Sequence, residues 1–194
     1  MLDEQFGQDD AVTVVHHDAL TVDWDQVADP QQNWTMVANL PYNVATPLVL
    51  DVLDTVPQVT SLLVMVQREV AERLVAGPGT SNYGIPSVKV AYWATGELVA
   101  KIPPSVFLPQ PRVESALVHL VRHPTPRFEE PIGPVFELVR AAFGQRRKML
   151  RKSLSAFVDA EHFAQAGVAP EARPEQVGVA QWCALAAARS RSVN

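Results

Sequence analysis

Thr35-Met36-Val37-Ala38 runs straight into Asn39-Leu40-Pro41-Tyr42, and the reading of the whole chain turns on this stretch. The first four residues form a short apolar, partly β-branched run that predicts a strand. Pro41 fixes its own φ and pushes Leu40 into an extended conformation, so the strand ends with the Leu40 carbonyl rigidly presented. The Asn39 amide oxygen can accept one N–H, and that carbonyl can accept another. Such a pair suits an exocyclic amine on an aromatic base, whose lone pair is delocalised into the ring and has to be aimed at an electrophile. Tyr42 can stack on the face of a flipped-out base. The same four residues also fit a polar strand end turned by a proline, with Tyr42 half in the core.

Short β-rich runs and helical patterns alternate on either side. Val12-Thr13-Val14-Val15 predicts an earlier strand, stopping at His16-His17-Asp18. Ser61 to Val66 is apolar from Leu62 onward, as expected of a strand buried on both faces. Leu98–Ile102 and Ala116–Leu120 complete the set and leave no room for a crossover helix, which predicts an antiparallel edge hairpin. A helix over Pro47–Leu53 is expected after Thr46 as N-cap. A second, over Glu69–Ala76, should stop at Gly77-Pro78-Gly79. The order is that of an α/β layer fold. After Arg122 the texture changes: His123-Pro124-Thr125-Pro126-Arg127 reads as a linker, followed by helices over Val135–Phe143, Arg147–Phe157 and Gln176–Arg189. Residues 1–124 are therefore expected to form one domain and residues 125–194 a small all-α one.

Composition narrows the function. With 194 residues, 47% hydrophobic and 19% charged, the chain can bury a core. No apolar run approaches the roughly 20 residues of a membrane span, and Met1-Leu2-Asp3-Glu4 is unlike a secretory signal. Neither a membrane anchor nor secretion is expected, and with Cys183 as the only cysteine a reducing cytoplasm fits. The net charge of −5 conceals an asymmetry: residues 1–100 hold 3 Lys/Arg and 13 Asp/Glu, residues 101–194 hold 13 and 8. A basic second half suits a polyanionic partner. Its densest part, Arg146-Arg147-Lys148-Met149-Leu150-Arg151-Lys152, would on a helix put Arg147 beside Arg151 and Lys148 beside Lys152, with Leu150 and Leu154 inward.

Two further features bear on chemistry. Asp18 follows the first expected strand, where its carboxylate can accept from the amino group of a cofactor adenine; an aspartate there equally serves as a helix cap. His16 and His17 have no third ligand at usable spacing, so no metal site is expected. Phe107 opens the proline-rich loop Leu108-Pro109-Gln110-Pro111 and could form the second wall of an aromatic clamp, or simply anchor the loop.

Asn39–Tyr42 (NLPY), Gln67–Ala76 (QREVAERLVA), Ser81–Val88 (SNYGIPSV), Phe107–Leu120 (FLPQPRVESALVHL) and Ala141–Leu154 (AAFGQRRKMLRKSL) together resemble the ribosomal RNA adenine N6-dimethyltransferases. More narrowly they resemble the bacterial 16S enzymes, the basic last segment separating them from the 23S rRNA methyltransferases. The similarity runs from about Val12 to the end. It implies a Rossmann-like S-adenosylmethionine-dependent methyltransferase sheet with a helical RNA-binding domain, acting in the cytoplasm on two adjacent adenines of small-subunit rRNA or its precursor. By resemblance Asn39, Leu40, Pro41 and Tyr42 form the catalytic loop, Phe107 stacks on the target adenine, and Asp18 and Asn39 meet the cofactor. Arg146, Arg147, Lys148, Arg151 and Lys152 would meet RNA. Glu114 stands where many relatives have aspartate. Family members also carry a Gln-Asn-Phe-Leu motif, a glycine-rich cofactor loop and a ribose-binding acid, which this sequence lacks: Gly7 is the only glycine before Gly77. The chain is therefore expected to be an N-terminally incomplete form, or else a non-enzymatic RNA-binding or assembly protein that keeps the fold remnant.

Overall fold

The computed structural model describes residues 5, 6 and 9–191; Met1-Leu2-Asp3-Glu4 and Gly7 lie outside them. After a short helix α1 (Trp24–Val27) the chain runs β1 (Trp34–Asn39), α2 (Ala45–Thr55), β2 (Val59–Gln67), α3 (Arg68–Leu74), α4 (Ile85–Trp93), β3 (Ala94–Ile102) and β4 (Ser115–Arg122). The sheet order is β1-β2-β4-β3. β1 and β2 are parallel, as a crossover through α2 requires, and β4 pairs antiparallel with both β2 and β3. The expected β3–β4 hairpin is present, with β4 inserted beside β2.

Leu62, Val64 and Val66 of β2 are fully buried with Val118 and Leu120 of β4 under Leu48, Val49, Val52 and Leu53 of α2. The other face of the sheet carries the half-buried Leu63 and Met65 beside the exposed Val37 and Val121. The expectation that β2 is buried on both faces is thus corrected: its burial alternates. Gly96 lies where no side chain fits, since a Cβ would come within 2.7 Å of Leu120 Cδ2 and 3.0 Å of Val75 Cγ1. Arg122, the last residue of β4, donates to the carbonyls of Leu53 (3.0 Å), Val52 (3.2 Å), Val56 (3.2 Å) and Val59 (3.0 Å). One guanidinium thereby caps the C-terminal end of α2, where free carbonyls and the helix dipole both favour a cation.

The second part contains α5 (Ile132–Phe143), α6 (Leu150–Ser153), α7 (Ala160–Ala166) and α8 (Val179–Arg191). Its core gathers Val135, Leu138, Val139, Leu150, Leu154, Trp182 and Leu185, and also Tyr83, Val88 and Tyr92 from α4 and the residues before it. Tyr83 is driven in far enough that burial pushes its phenol pKa up to about 12, while its hydroxyl donates to the Val177 carbonyl at 2.9 Å. Helix α4 serves both cores, since Val90 packs under the sheet. We propose a boundary near residue 125, with α4 packed into the cores on both sides of it.

Several expected elements differ. Val12-Thr13-Val14-Val15 is irregular, with Val12 and Val15 exposed, because no described strand lies beside it to complete a ladder. Helix α2 starts at Ala45, not after Thr46: the amides of Val44 and Ala45 both donate to the Pro41 carbonyl at 3.1 Å, so the turn itself begins the helix. Pro47 then falls in the first turn, where a missing N–H costs nothing. Arg147–Phe157 is not one helix; only Leu150–Ser153 is α-helical. The Leu150 and Arg151 amides are taken by the carbonyls of Ala172 (2.8 Å) and Pro170 (2.9 Å), so a loop from elsewhere holds the start of α6. Helices α4 and α7 were unforeseen, although Ser87 Oγ accepting from the Gly84 amide (3.0 Å) and Asp159 accepting from Glu161 and His162 (3.0 and 3.1 Å) are legible start signals.

Candidate active site

The Asn39–Tyr42 turn lies at the carboxyl end of β1, the edge of an open α/β sheet where ligands bind. The Leu40 amide extends the parallel pairing by donating to Met65 at 3.1 Å, and its side chain is buried at 7% exposure. Those two anchors, with the proline that follows, fix the direction of the Leu40 carbonyl. Neither that carbonyl nor the Asn39 amide group makes a hydrogen bond to another described residue. In a turn otherwise tightly bonded, two acceptors stand open side by side.

Asn39 and Leu40 line a cleft of about 320 Å³ whose walls also include Tyr42, Phe107, Pro109 and Ser115. Antiparallel pairing brings Ser115, at the amino end of β4, opposite Gln67 at the carboxyl end of β2, so both loops meet at one end of the sheet. Ser115 is 2% exposed, and its hydroxyl lies 3.2 Å from Tyr42 Oη. This bond ties the tyrosine to the β4 side of the cleft. Phe107 is half-buried and ends a 3₁₀ turn, Pro104–Val106, in extended conformation. The far end of its loop is pinned twice: the Arg68 amide donates to the Glu114 carbonyl at 2.9 Å, and the Arg68 guanidinium pairs with the Glu114 carboxylate and with Glu72 at 3.5 Å. Because these carboxylates and the guanidinium are partly exposed, the ion pairs add at most ~1 kcal/mol; their effect is to set the position of the loop.

Asn39, Leu40, Pro41, Tyr42 and Phe107 are thus brought to one cleft, with Ser115 a further wall that the sequence reading had not singled out. Only a tertiary contact across the sheet distinguishes that serine. Asp18 is elsewhere. It does not line the cleft; Oδ1 accepts from the Leu20 amide at 2.9 Å and its carbonyl from Val22 at 2.9 Å. Its Oδ2 makes no hydrogen bond with a described residue and stays available to an amino group. Among the described residues no group of three or more His, Cys, Asp or Glu is arranged to hold a metal ion, and no helix is long and apolar enough to cross a membrane.

The basic segment divides in two. Arg146 is tied to Glu175 (3.8 Å) and the Ser81 carbonyl (3.2 Å), and Arg151 to Glu171 (3.4 Å). Arg147, Lys148 and Lys152 are exposed, and their side chains pair with no described residue. The expected helical ridge is corrected to a turn, Gly144–Lys148, followed by the single-turn α6. Arg147 and Arg151 therefore do not share a helix face.

A mixed α/β sheet with an acceptor-rich turn at the end of a parallel strand defines a Rossmann-like methyltransferase fold, and known proteins agree. Residues 1–189 match the family described as ribosomal RNA adenine dimethylase, and the chain belongs to that family. It is 45% identical over 193 residues to ribosomal RNA small subunit methyltransferase A of Bifidobacterium longum, covering 91% of this chain and 62% of that protein. To the protein of the same name from Kineococcus radiotolerans it is 48% identical over 159 residues, covering 79% and 53%. The chain therefore spans less than two thirds of the length of these relatives. Among solved structures, a dimethyladenosine transferase from Plasmodium falciparum superimposes with a TM-score of 0.74 at 21% identity, over 93% of this chain and 73% of that one. The 23S rRNA methyltransferase ErmE gives 0.69 at 22%, over 97% and 76%. At those identities the two structures establish the fold.

Proposed function

We propose that the protein transfers methyl groups from S-adenosylmethionine to N6 of two adjacent adenines in small-subunit ribosomal RNA, in the cytoplasm. The described residues supply the side of the site that receives the adenine. The observation that carries this reading is the pair of open acceptors, Asn39 and the Leu40 carbonyl, above a cleft walled by Tyr42 and Phe107. The names of the relatives point to the same chemistry.

Catalysis here is positioning. Asn39 Oδ1 accepts one N6–H and the Leu40 carbonyl the other, which favours a tetrahedral nitrogen whose lone pair stays on it instead of being delocalised into the ring. Tyr42, held by Ser115, and Phe107 offer aromatic faces to the base. When bound, S-adenosylmethionine supplies a methyl group on a positively charged sulfur, already a strong electrophile. The residues that fit this donor are Asn39 and Asp18 through its free Oδ2. The surplus N6 proton is lost to solvent at the mouth of the cleft. The exposed Arg147, Lys148 and Lys152 would meet RNA phosphates.

Asn39→Ala, introduced at the chromosomal locus, tests the reading. Removing one oriented polar group should slow methyl transfer at least ~10²-fold. Dimethyladenosine in digested small-subunit rRNA, followed by mass spectrometry after a pulse of labelled methionine, reports the rate. Near-normal incorporation would refute the assignment.

A further inference from the structure

We propose that the hollow at the opposite end of β4 binds an unpaired nucleotide of RNA, the base among Tyr92, Trp93 and Phe128 and the phosphate at Arg127. The inference rests on the reading of the protein as one that acts on RNA. The hollow is distinct from the cleft: Ser115 begins the eight-residue β4 and Arg122 ends it, so the two lie about 23 Å apart at ~3.3 Å per residue.

Its size suits one ring system. The volume is about 230 Å³, below the roughly 300–1,000 Å³ of sites that enclose a drug-sized ligand. Its walls are aromatic and held in place. Tyr92 and Phe128 stack with centroids 5.5 Å apart at 30°, and Trp93 meets Tyr92 edge-on at 4.8 Å. Their polar groups are already committed, Trp93 Nε1 donating to Asp54 at 2.7 Å and the Tyr92 hydroxyl to the Glu130 carbonyl at 2.6 Å. Tyr92 is buried at 8% exposure, and the Arg122 guanidinium lies 5.6 Å from the Trp93 ring centroid. The apolar surface still offered to a ligand is therefore that of the half-buried Phe128 and the uncovered part of Trp93, with Tyr92 as their backing. Pro124 and Pro126, in the linker beside them, stiffen the rim.

The charge of the lining then selects the ligand. It contains Arg122, His123 and Arg127 and no carboxylate. Arg122 is spent on four backbone carbonyls, and the His123 ring lies 3.5 Å from the Ala91 carbonyl. Arg127 is exposed and makes no hydrogen bond or ion pair with a described residue. Rigid aromatic surface beside one uncommitted guanidinium matches a base with its phosphate. The base has to be unpaired, because stacking on a side chain needs a ring face that a duplex covers.

The test uses the 194-residue chain and two-dimensional NMR of its tryptophan indole N–H signals, with that of Trp93 assigned through Trp93→Phe. A short oligoadenylate RNA should shift the Trp93 signal saturably, adenosine monophosphate more weakly, and adenosine more weakly still. Phe128→Ala should weaken the oligonucleotide at least ~5-fold, the lower end of what losing a stacking ring costs. Arg127→Gln, a change at an exposed position, should abolish the preference for the phosphorylated probe. Asn39→Ala should leave the titration unchanged. Absence of a saturable Trp93 shift with the oligonucleotide overturns the site. Tighter binding of the mononucleotide than of the oligonucleotide makes it a free-nucleotide pocket and overturns the assignment to RNA. Equal affinity for adenosine and its monophosphate, unchanged in Arg127→Gln, overturns the role of the cation. Methylation in cells carrying Asn39→Ala is read separately, so failure of either proposal is recognisable without the other.

Discussion

Replacing Arg122 with Met keeps the length and apolar stem of the side chain and removes only the guanidinium. Four carbonyls then lose a charged donor: Val52, Leu53 and Val56 at the end of α2, and Val59 at the start of β2. The losses are unequal. The Val52 carbonyl keeps the Val56 amide at 3.0 Å, and the Val56 carbonyl keeps the Val59 amide at 3.1 Å. Leu53 is the most exposed to the change. Hydrogen bonds to charged groups contribute about 1.5–3 kcal/mol each, and with two carbonyls retaining donors the loss is that of about two bonds, or about 3–6 kcal/mol. For domains of this size each kcal/mol shifts Tm by about 2–4 °C, so Arg122→Met should melt roughly 6–24 °C below the parent. Arg122→Lys should fall between them, because a point-charged ammonium cannot span carbonyls that a planar fork reaches together. Thermal unfolding followed by far-UV circular dichroism, with urea titration as a second measure, gives both numbers. A drop under ~3 °C for the methionine variant would mean that the clamp is not what joins β4 to α2.

Replacing Arg147, Lys148 and Lys152 together with Ala should weaken RNA binding at every sequence and make the log–log salt dependence shallower by up to ~2 units, at ~0.7 per phosphate contact; an unchanged slope in filter binding would leave these cations as solvated surface. The isolated chain offers S-adenosylmethionine Asp18 and Asn39 but no glycine-rich loop, so isothermal titration should show a Kd no tighter than ~1 mM, and micromolar binding would refute that account of the cofactor side. Burial holds the His123 imidazole below its ordinary 6.5. The neutral form is favoured in the fold, so its contribution is complete above that value and is lost as pH falls from it through the depressed one. Urea unfolding at about pH 7.5 and 5.5 should show a loss that His123→Asn reduces, and an equal loss in the variant would rule this histidine out.

The local chemistry of the cleft was written into contiguous residues. The φ restrictions of Asn39-Leu40-Pro41-Tyr42 and the apolar strand before it set the local turn, and these are properties of the chain itself; the bond from the Leu40 amide to Met65 then anchors it in the sheet. Strands β1, β2 and β4 were legible for the same reason, since β-branched and apolar runs between breakers state their conformation locally. Helix termini set by remote partners were not. Leu150 and Arg151 begin a helix where the carbonyls of Pro170 and Ala172 take their amides, and no pattern near Arg147 announces it. The sequence alone thus determined the family and the α/β class, and it singled out Asn39–Tyr42 and Phe107, which the fold gathers at one cleft. Only the tertiary structure decided that Ser115 holds Tyr42, that Arg146 and Arg151 are paired while Arg147, Lys148 and Lys152 have no partner among the described residues, and that Tyr92, Trp93 and Phe128 gather beside Arg127. Each of these depends on contacts between segments far apart in the chain, and spacing along a sequence carries no distance across a fold.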